Sequence, residues 1–303
     1  MMNKSKTAIG VILSLLGGVF WGFSGSCGQY LFTYHDVNST WRVPIRMTLS
    51  GRILLSFCAF KNKKKLFDVW KGRNNFIRMS AFTFFGLIMC QYSYFTAIQL
   101  SNAGIATVLQ YLSPVMILVF VCLKSRKKPS LTEVIAIILA VGGTFVIATG
   151  GKIGSLSVST GALMWGLLAG VFLACYSLIP GPILEIADTP TVLGWGSLIG
   201  GIVLMPVFRP WETMPVISLP LIGAVAGIVI IGTVLAYTFY LDGIHLIGAT
   251  NASIISSIEP VAATVISAVW LGTEFSCTDI NGFIMIISTI FIISFHTKKV
   301  NNM

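Results

Sequence analysis

Charge is the scarcest property of this sequence. Asp, Glu, Lys and Arg make up 10% of its 303 residues, where an average soluble domain carries about 25%. Too few polar residues remain to cover a water-facing surface, which excludes a soluble enzyme and a disordered tail. Acidic residues are scarcer still, ten against twenty Lys and Arg, for a formal net charge of +10. A nucleic-acid footprint needs cations clustered on a folded surface. Most of this chain has none to offer, so no nucleic-acid partner is expected. The six cysteines, Cys27, Cys58, Cys90, Cys122, Cys175 and Cys277, include no C-x-x-C pair. Most lie in or beside apolar stretches, where Cys behaves as a small hydrophobe. They predict neither disulfides nor a metal site. No H-E-x-x-H, Walker A or G-x-G-x-x-G segment occurs, so a metalloprotease and an ATP-driven pump lack support and no cofactor is expected.

What the chain has is apolar length. A helix crosses a hydrocarbon core of about 30 Å with roughly 20 apolar residues. Ten such stretches run near Ala8–Tyr30, Trp41–Phe60, Phe76–Ile98, Gly104–Leu123, Leu131–Thr149, Val158–Ile179, Thr191–Phe208, Val216–Leu241, Ala249–Leu271 and Thr278–Phe295. Backbone polar groups in lipid must be satisfied within the segment, and unbroken apolar runs without alternation exclude a barrel. The expected class is an all-α membrane protein with ten transmembrane helices and short connectors.

The cations then find their places. Lys4 and Lys6 precede the first span; Lys61, Lys63, Lys64, Lys65, Lys71, Arg73 and Arg78 fall between spans two and three. Lys124, Arg126, Lys127 and Lys128 lie between spans four and five, and Lys298 and Lys299 follow span ten. Fifteen of the twenty therefore sit on one side, against Lys152 and Arg209 on the other. By the positive-inside rule both termini are cytoplasmic, in a multi-pass protein of the cytoplasmic (inner) membrane. The N-terminus mimics a signal peptide, but no A-x-A-type site follows, so the first span is expected to stay uncleaved.

Internal similarity is the most informative pattern. Ala97–Pro114 matches Gly243–Pro260 at an offset of 146 residues, with Ile98/Ile244, Leu100/Leu246, Ala103/Ala249, Ala106/Ala252 and Pro114/Pro260 coinciding. Tyr94/Tyr240, Ser130/Ser276, Thr132/Thr278 and Glu133/Asp279 keep the same offset. A slightly different shift aligns Gly18-Val19-Phe20 with Gly170-Val171-Phe172. The repeat unit is five spans, residues 1–150 and 151–303. Five is odd, so the second copy enters the membrane inverted. The loops agree: Lys124–Lys128 is basic, while its counterpart Gly272–Asp279 holds Glu274 and Asp279 and no cation. Inverted repeats are the architecture of secondary transporters, with the site near the midplane where the copies meet.

On these residues the chain resembles the drug/metabolite transporter superfamily, EamA type. The resemblance rests on two five-helix copies, Trp21-Gly22 in span one, the small-residue segment Ala97–Pro114, Glu259-Pro260 in span nine and Arg46 in span two. It covers essentially the whole chain. It implies a ten-helix carrier, usually an exporter of amino acids, related metabolites or drugs; an importer or facilitator of a small organic solute is the alternative. Two positions depart from the pattern: Arg52 adds a cation to span two, and Ser113 stands where the second copy has Glu259. The expected partners are a small-molecule substrate, the lipid bilayer and protons, with the chain working as a monomer or homodimer.

Glu259 is the sharpest candidate. An acid halfway along a span costs roughly 2.5–3.5 kcal/mol on insertion scales, so it faces a polar cavity. Pro260 is expected to loosen the helix there. Ser256 and Ala252 share its face, with Asn251 close by. Glu259 either binds a proton or substrate or makes a structural hydrogen bond between helices. In span four, Gln110 and Ser113 share a face with Ala106, and serve either a polar head group or helix-to-helix contact. Arg46 either receives a substrate carboxylate or pairs with an acid. Arg42 is expected to snorkel to the interface beside Trp41. Arg52, about 17 Å beyond Trp41 along the helix, is expected to face protein or water. The resemblance further implies that Trp21, Gln91, Tyr94, Tyr176, Tyr237 and Tyr240 line a cavity, and aromatic walls of this kind suit amphipathic metabolites or organic cations. Four G-x-x-x-G pairs, starting at Gly18, Gly166, Gly196 and Gly223, are expected to bring helices close.

Two other classes compete. An intramembrane serine protease would use Ser24 of Gly22-Phe23-Ser24-Gly25 with His245 as base. The pair must meet within hydrogen-bond reach, yet Ser24 lies deep in span one and His245 in the connector after span eight. No enzymatic activity is expected. A channel is disfavoured by the inverted repeat.

Overall fold

The computed structural model describes residues 4–62, 66–126, 129–152, 157–247, 252 and 255–301. Asn251, Lys63, Lys64, Lys65, Lys127 and Lys128 lie outside the described residues. Among the described residues the fold is helical with no strand. The long elements are α1 (Lys4–Tyr34), α2 (Ser39–Asn62), α3 (Arg73–Leu100), α4 (Ala103–Gln110 continued by Ser113–Ser125) and α5 (Leu131–Thr149). They continue with α6 (Thr160–Leu178, extended by Gly181–Leu184), α7 (Thr189–Phe208), α8 (Leu219–Ile247), α9 (Glu259–Leu271) and α10 (Cys277–Asn301). Eight, α1 to α8, are long and apolar enough to cross a membrane; Glu259–Leu271 and Cys277–Ile292 are shorter apolar helices.

Short polar residues start these helices for a local reason: the first backbone N–H groups of a helix have no partner inside it. Asn102 Oδ1 accepts from Ile105 N, and the Oγ atoms of Ser159 and Ser218 accept from Ala162 N and Leu221 N. Ser130 and Glu133 form a reciprocal capping box at α5, with Ser130 N donating to Glu133 Oε2 at 2.6 Å. Ser276 and Asp279, 146 residues on, do the same at α10, at 2.9 and 3.1 Å.

The same offset relates larger irregularities. α3 widens into π geometry over Phe82–Met89, and α8 over Gly227–Leu235. α4 breaks at Tyr111–Leu112, where Leu112 N donates to Leu109 O, before restarting at Ser113-Pro114. The chain turns likewise at Ser257–Ile258, where Ile258 N donates to Ile255 O, before α9 begins at Glu259-Pro260. This corrects the expectation that Glu259 sits midway along an unbroken helix loosened by Pro260. The helix starts there, and Pro260 occupies the first turn, where a missing N–H costs nothing.

The principal neighbours are α2 with α7, α5 with α10, α4 with α9, α1 with α8 and α9, and α6 with α3 and α4. Exchanging α1–α5 for α6–α10 leaves that set unchanged. Glycine permits the closest of these approaches. A Cβ on Gly51 would strike the backbone of Leu198, and one on Gly201 the backbone of Thr48. Gly18 and Gly22 abut the Ser256–Ala263 stretch, Gly166 and Gly170 abut α4, and Gly196 and Gly200 abut α2 and α3. Of the fourth pair only Gly227 packs; Gly223 faces open space.

Two arginines differ from expectation. Arg42 does not snorkel: it is 1% exposed, because the rings of Phe95 and Phe32 and the small residue Gly28 make a slot for its guanidinium. Arg52 faces outward from the bundle on the exposed stripe of α2 with Leu49, Ile53 and Phe57. Gly51 beside it is the residue pressed against α7, which turns Arg52 away from protein.

Candidate functional site

A cavity of about 590 Å³ lies among α1, α2, α3, α4, α6 and α8 and the segment around Glu259. Ligand sites typically measure about 300–1,000 Å³, so this one has room for a small organic molecule. Of the sequence-predicted residues, Trp21, Arg46, Gln91 and Tyr94 line it from the first three helices. Gln110 and Ser113 reach it from the two sides of the α4 break, and Tyr176, Tyr237, Ser256 and Glu259 from the second half. Asn251 lies outside the described residues.

The breaks in α4 and α9 bring the polar groups together. Tyr111, at the α4 break, donates to Glu259 Oε2 at 2.8 Å. Gln110 Nε2 lies 3.5 Å from Cys90 Sγ, a sulfur acceptor on α3. Glu259 opens α9, where the unpaired N–H groups and the helix dipole favour a negative charge. On the other wall Arg46 Nη1 donates to Gln91 Oε1 at 3.0 Å, and its Cζ stands 5.1 Å from the Phe95 ring centroid. The sequence offered an acid as one partner for Arg46, but the side chain it bonds among the described residues is a neutral amide. Among the described residues the ion pairs are Lys71–Asp68 and Arg209–Glu212, both away from the cavity.

Aromatic groups complete the wall. Trp21 packs against Tyr237 and Tyr240 at centroid distances of 5.3 and 5.1 Å. Tyr176 OH donates to Tyr237 OH at 3.4 Å, and Tyr94 OH shares a hydrogen bond with Thr107 Oγ1 at 2.8 Å. Tyr111, Cys90, Ser24 and Gly25 also line the cavity without having been singled out for it. The signal for Tyr111 was its place beside Gln110, at the 146-residue counterpart of Ser257, another lining residue.

The two ends of the cavity are unlike. At one, lining residues Ser177 and Leu184 are exposed where α6 ends, near Thr189 at the start of α7 and Leu241 and Ile244 of α8. This is the mouth. At the other, Ser24 and Tyr94 are buried and the path is blind. One turn further along α1 from Gly25, Gln29 ties the segments at this end: its Oε1 accepts from Ala103 N at 2.8 Å and Ser267 Oγ at 2.7 Å, and its Nε2 donates to Thr273 Oγ1 at 2.7 Å. One amide thus joins α1, α4, α9 and the loop after α9. Gln99 adds a second tie, accepting from Ser39 N at 2.9 Å.

Neither enzyme arrangement forms. Ser24 packs against Gly232, whereas His245 is exposed in the last turns of the same α8, thirteen residues or about 20 Å along the axis. The structure therefore puts His245 in the helix, not the connector, and still out of reach. Among the described residues no group of three His, Cys, Asp or Glu could hold a metal.

Comparisons with known proteins agree with this layout. The model of the EamA-like transporter family matches residues 8–149 and again 160–295. The chain is 34% identical to the "uncharacterized inner membrane transporter YicL" of Salmonella typhimurium over 97% of its own length and 98% of that protein. It is 25% identical to the "uncharacterized transporter YxxF" of Bacillus subtilis, over 94% of this chain and 88% of that one. A crystal structure sharing 15% identity superposes with a TM-score of 0.62 over 98% of this chain and 99% of the other, a likeness of fold.

Proposed function

The chain belongs to the EamA-like transporter family, and we propose that it is a secondary carrier that exports small organic solutes across the inner membrane by alternating access. The observation that carries this reading is the cavity: open at one end, closed at the other, with Arg46 and Glu259 on its walls and, among the described residues, no ion pair at either. A site with a free cation, a carboxyl group and aromatic walls suits an amphipathic metabolite bearing a carboxylate, amino acids included. Arg46 receives the carboxylate, Glu259 and Tyr111 meet the opposite polar end or a proton, and Trp21 and Tyr237 hold the apolar part.

The reading includes two inverted five-helix copies, 1–150 and 151–303. Support comes from the capping boxes, π segments and helix breaks that recur at one offset, and from the set of neighbours unchanged by exchanging halves. Both breaks meet at the cavity, as in carriers whose site is built from discontinuous helices. With the cation-rich loops and both termini in the cytoplasm, the mouth faces the cytoplasm, the state that takes up a solute for export. The name of the Salmonella relative supports the inner membrane.

Counterflow in proteoliposomes tests the proposal. Vesicles loaded with an unlabelled member of a panel of amino acids, organic acids, polyamines and organic cations should accumulate the labelled form transiently above its outside concentration. A pore gives no such overshoot, and a panel with no overshoot for any carboxylate rejects the substrate assignment.

A further inference from the structure

Just beyond the blind end of the cavity lies Arg42, one helical turn from Arg46. Its guanidinium Cζ is 3.6 Å from the centroid of the Phe95 ring, the ring Arg46 also approaches. Nη2 donates to the backbone oxygen of Ser24 at 3.3 Å, while Nε and Nη1 meet no acceptor among the described residues. Gly28 leaves the space for this group, since any Cβ there would overlap the guanidinium. Ser24 belongs to the cavity wall, so only that wall separates Arg42 from the cavity.

A plug would not need this chemistry. Burying a cation costs more than a desolvated cation–π contact returns. A long apolar side chain would fill the slot at lower cost. What the slot holds instead is a fixed cation with two idle donors, one helical turn from Arg46 towards the blind end. We propose that Arg42 is a second anion station. When the blind end opens, a carboxylate held at Arg46 passes along Phe95 to Arg42 before leaving. The proposal rests on the carrier reading of the cavity and adds to it a stepwise exit path.

Labelling with phenylglyoxal, which attacks guanidinium groups, tests it on the purified full-length protein in lipid nanodiscs. Peptide mass spectrometry reads Arg42, Arg46 and the surface control Arg209 separately. Sodium benzoate is the carboxylate probe; sodium chloride and benzylammonium chloride at equal ionic strength are controls. Arg209 should label fastest, Arg46 next and Arg42 slowest, with benzoate slowing Arg42 and Arg46 several-fold and benzylammonium slowing neither. Arg42 that stays unlabelled while Arg46 reacts to completion overturns the proposal, as does Arg42 labelling that benzoate leaves unchanged. Protection of Arg46 alone sinks the second station and leaves the cavity assignment standing. Protection of neither removes the carboxylate assignment as well.

Discussion

Tyr111 donates its hydroxyl to Glu259 Oε2 across 2.8 Å, joining the break in α4 to the break in α9. A carboxyl from one half of the chain is thus held by a phenol from the other, on the wall of the cavity.

Glu259→Gln keeps the volume and removes the charge. A hydrogen bond to a charged group contributes about 1.5–3 kcal/mol, so counterflow should fall roughly 10- to 100-fold. Tyr111→Phe loses only a donor, about 1 kcal/mol, and should raise KM roughly fivefold. Initial rates normalised to folded protein measure both. A Glu259→Gln protein that transports normally at every pH removes Glu259 from the mechanism.

Among the described residues Gln91 is the one side-chain acceptor of the Arg46 fork. Arg46→Gln should weaken binding of a carboxylate solute by roughly 10-fold or more while leaving a neutral analogue unchanged. Arg46→Lys should recover only part of the loss, since an ammonium cannot grip a carboxylate with two parallel bonds. Isothermal titration with the best solute from the counterflow panel separates the three proteins.

Gly51 lies against the Leu198 backbone, where no side chain can swing aside. Gly51→Ala should force α2 from α7 and destabilise the protein by about 1–3 kcal/mol. Thermal unfolding in detergent reads this. Gly223→Ala, at a glycine with nothing near it, should leave the midpoint unchanged or raise it.

Cys277 is exposed at the start of α10, whereas Cys27, Cys58 and Cys90 are buried. If both termini are cytoplasmic, α10 begins outside. A membrane-impermeant maleimide should then label Cys277 on intact cells, and Cys277→Ala should abolish most of the signal. Labelling that appears only after permeabilisation reverses the orientation.

The sequence revealed periodic features better than facial ones. The α5 limits, Leu131–Thr149, emerged directly from the apolar run, and the 146-residue offset had already paired the residues that form the α5 and α10 capping boxes, though not their capping role. Eleven of the twelve residues named as candidates for the site, Tyr240 included, line one cavity, and the twelfth, Asn251, lies outside the described residues. Arg42 and Arg52 were misjudged for one physical reason. In a helix apolar all round, periodicity cannot say which face meets lipid, so the buried and the outward-facing arginine look alike. The break before Glu259 escaped for a related reason: a Glu-Pro pair reads equally as a kink or as a first turn, and only packing against Tyr111 decides.

The ties at the blind end are made of neutral groups: the amides of Gln29 and Gln99, with hydroxyls of Ser267 and Thr273 and backbone N–H groups. Membrane voltage exerts force only on charge, and ionic strength screens only charge. The ties themselves are therefore blind to both, and so to the energised state of the cell. In the proposed carrier Arg42, Arg46, Glu259 and a solute bound among them would carry the charge that feels the field. An empty and a loaded state of the proposed carrier would thus differ in how hard the membrane potential pulls on them, while these neutral ties stay the same.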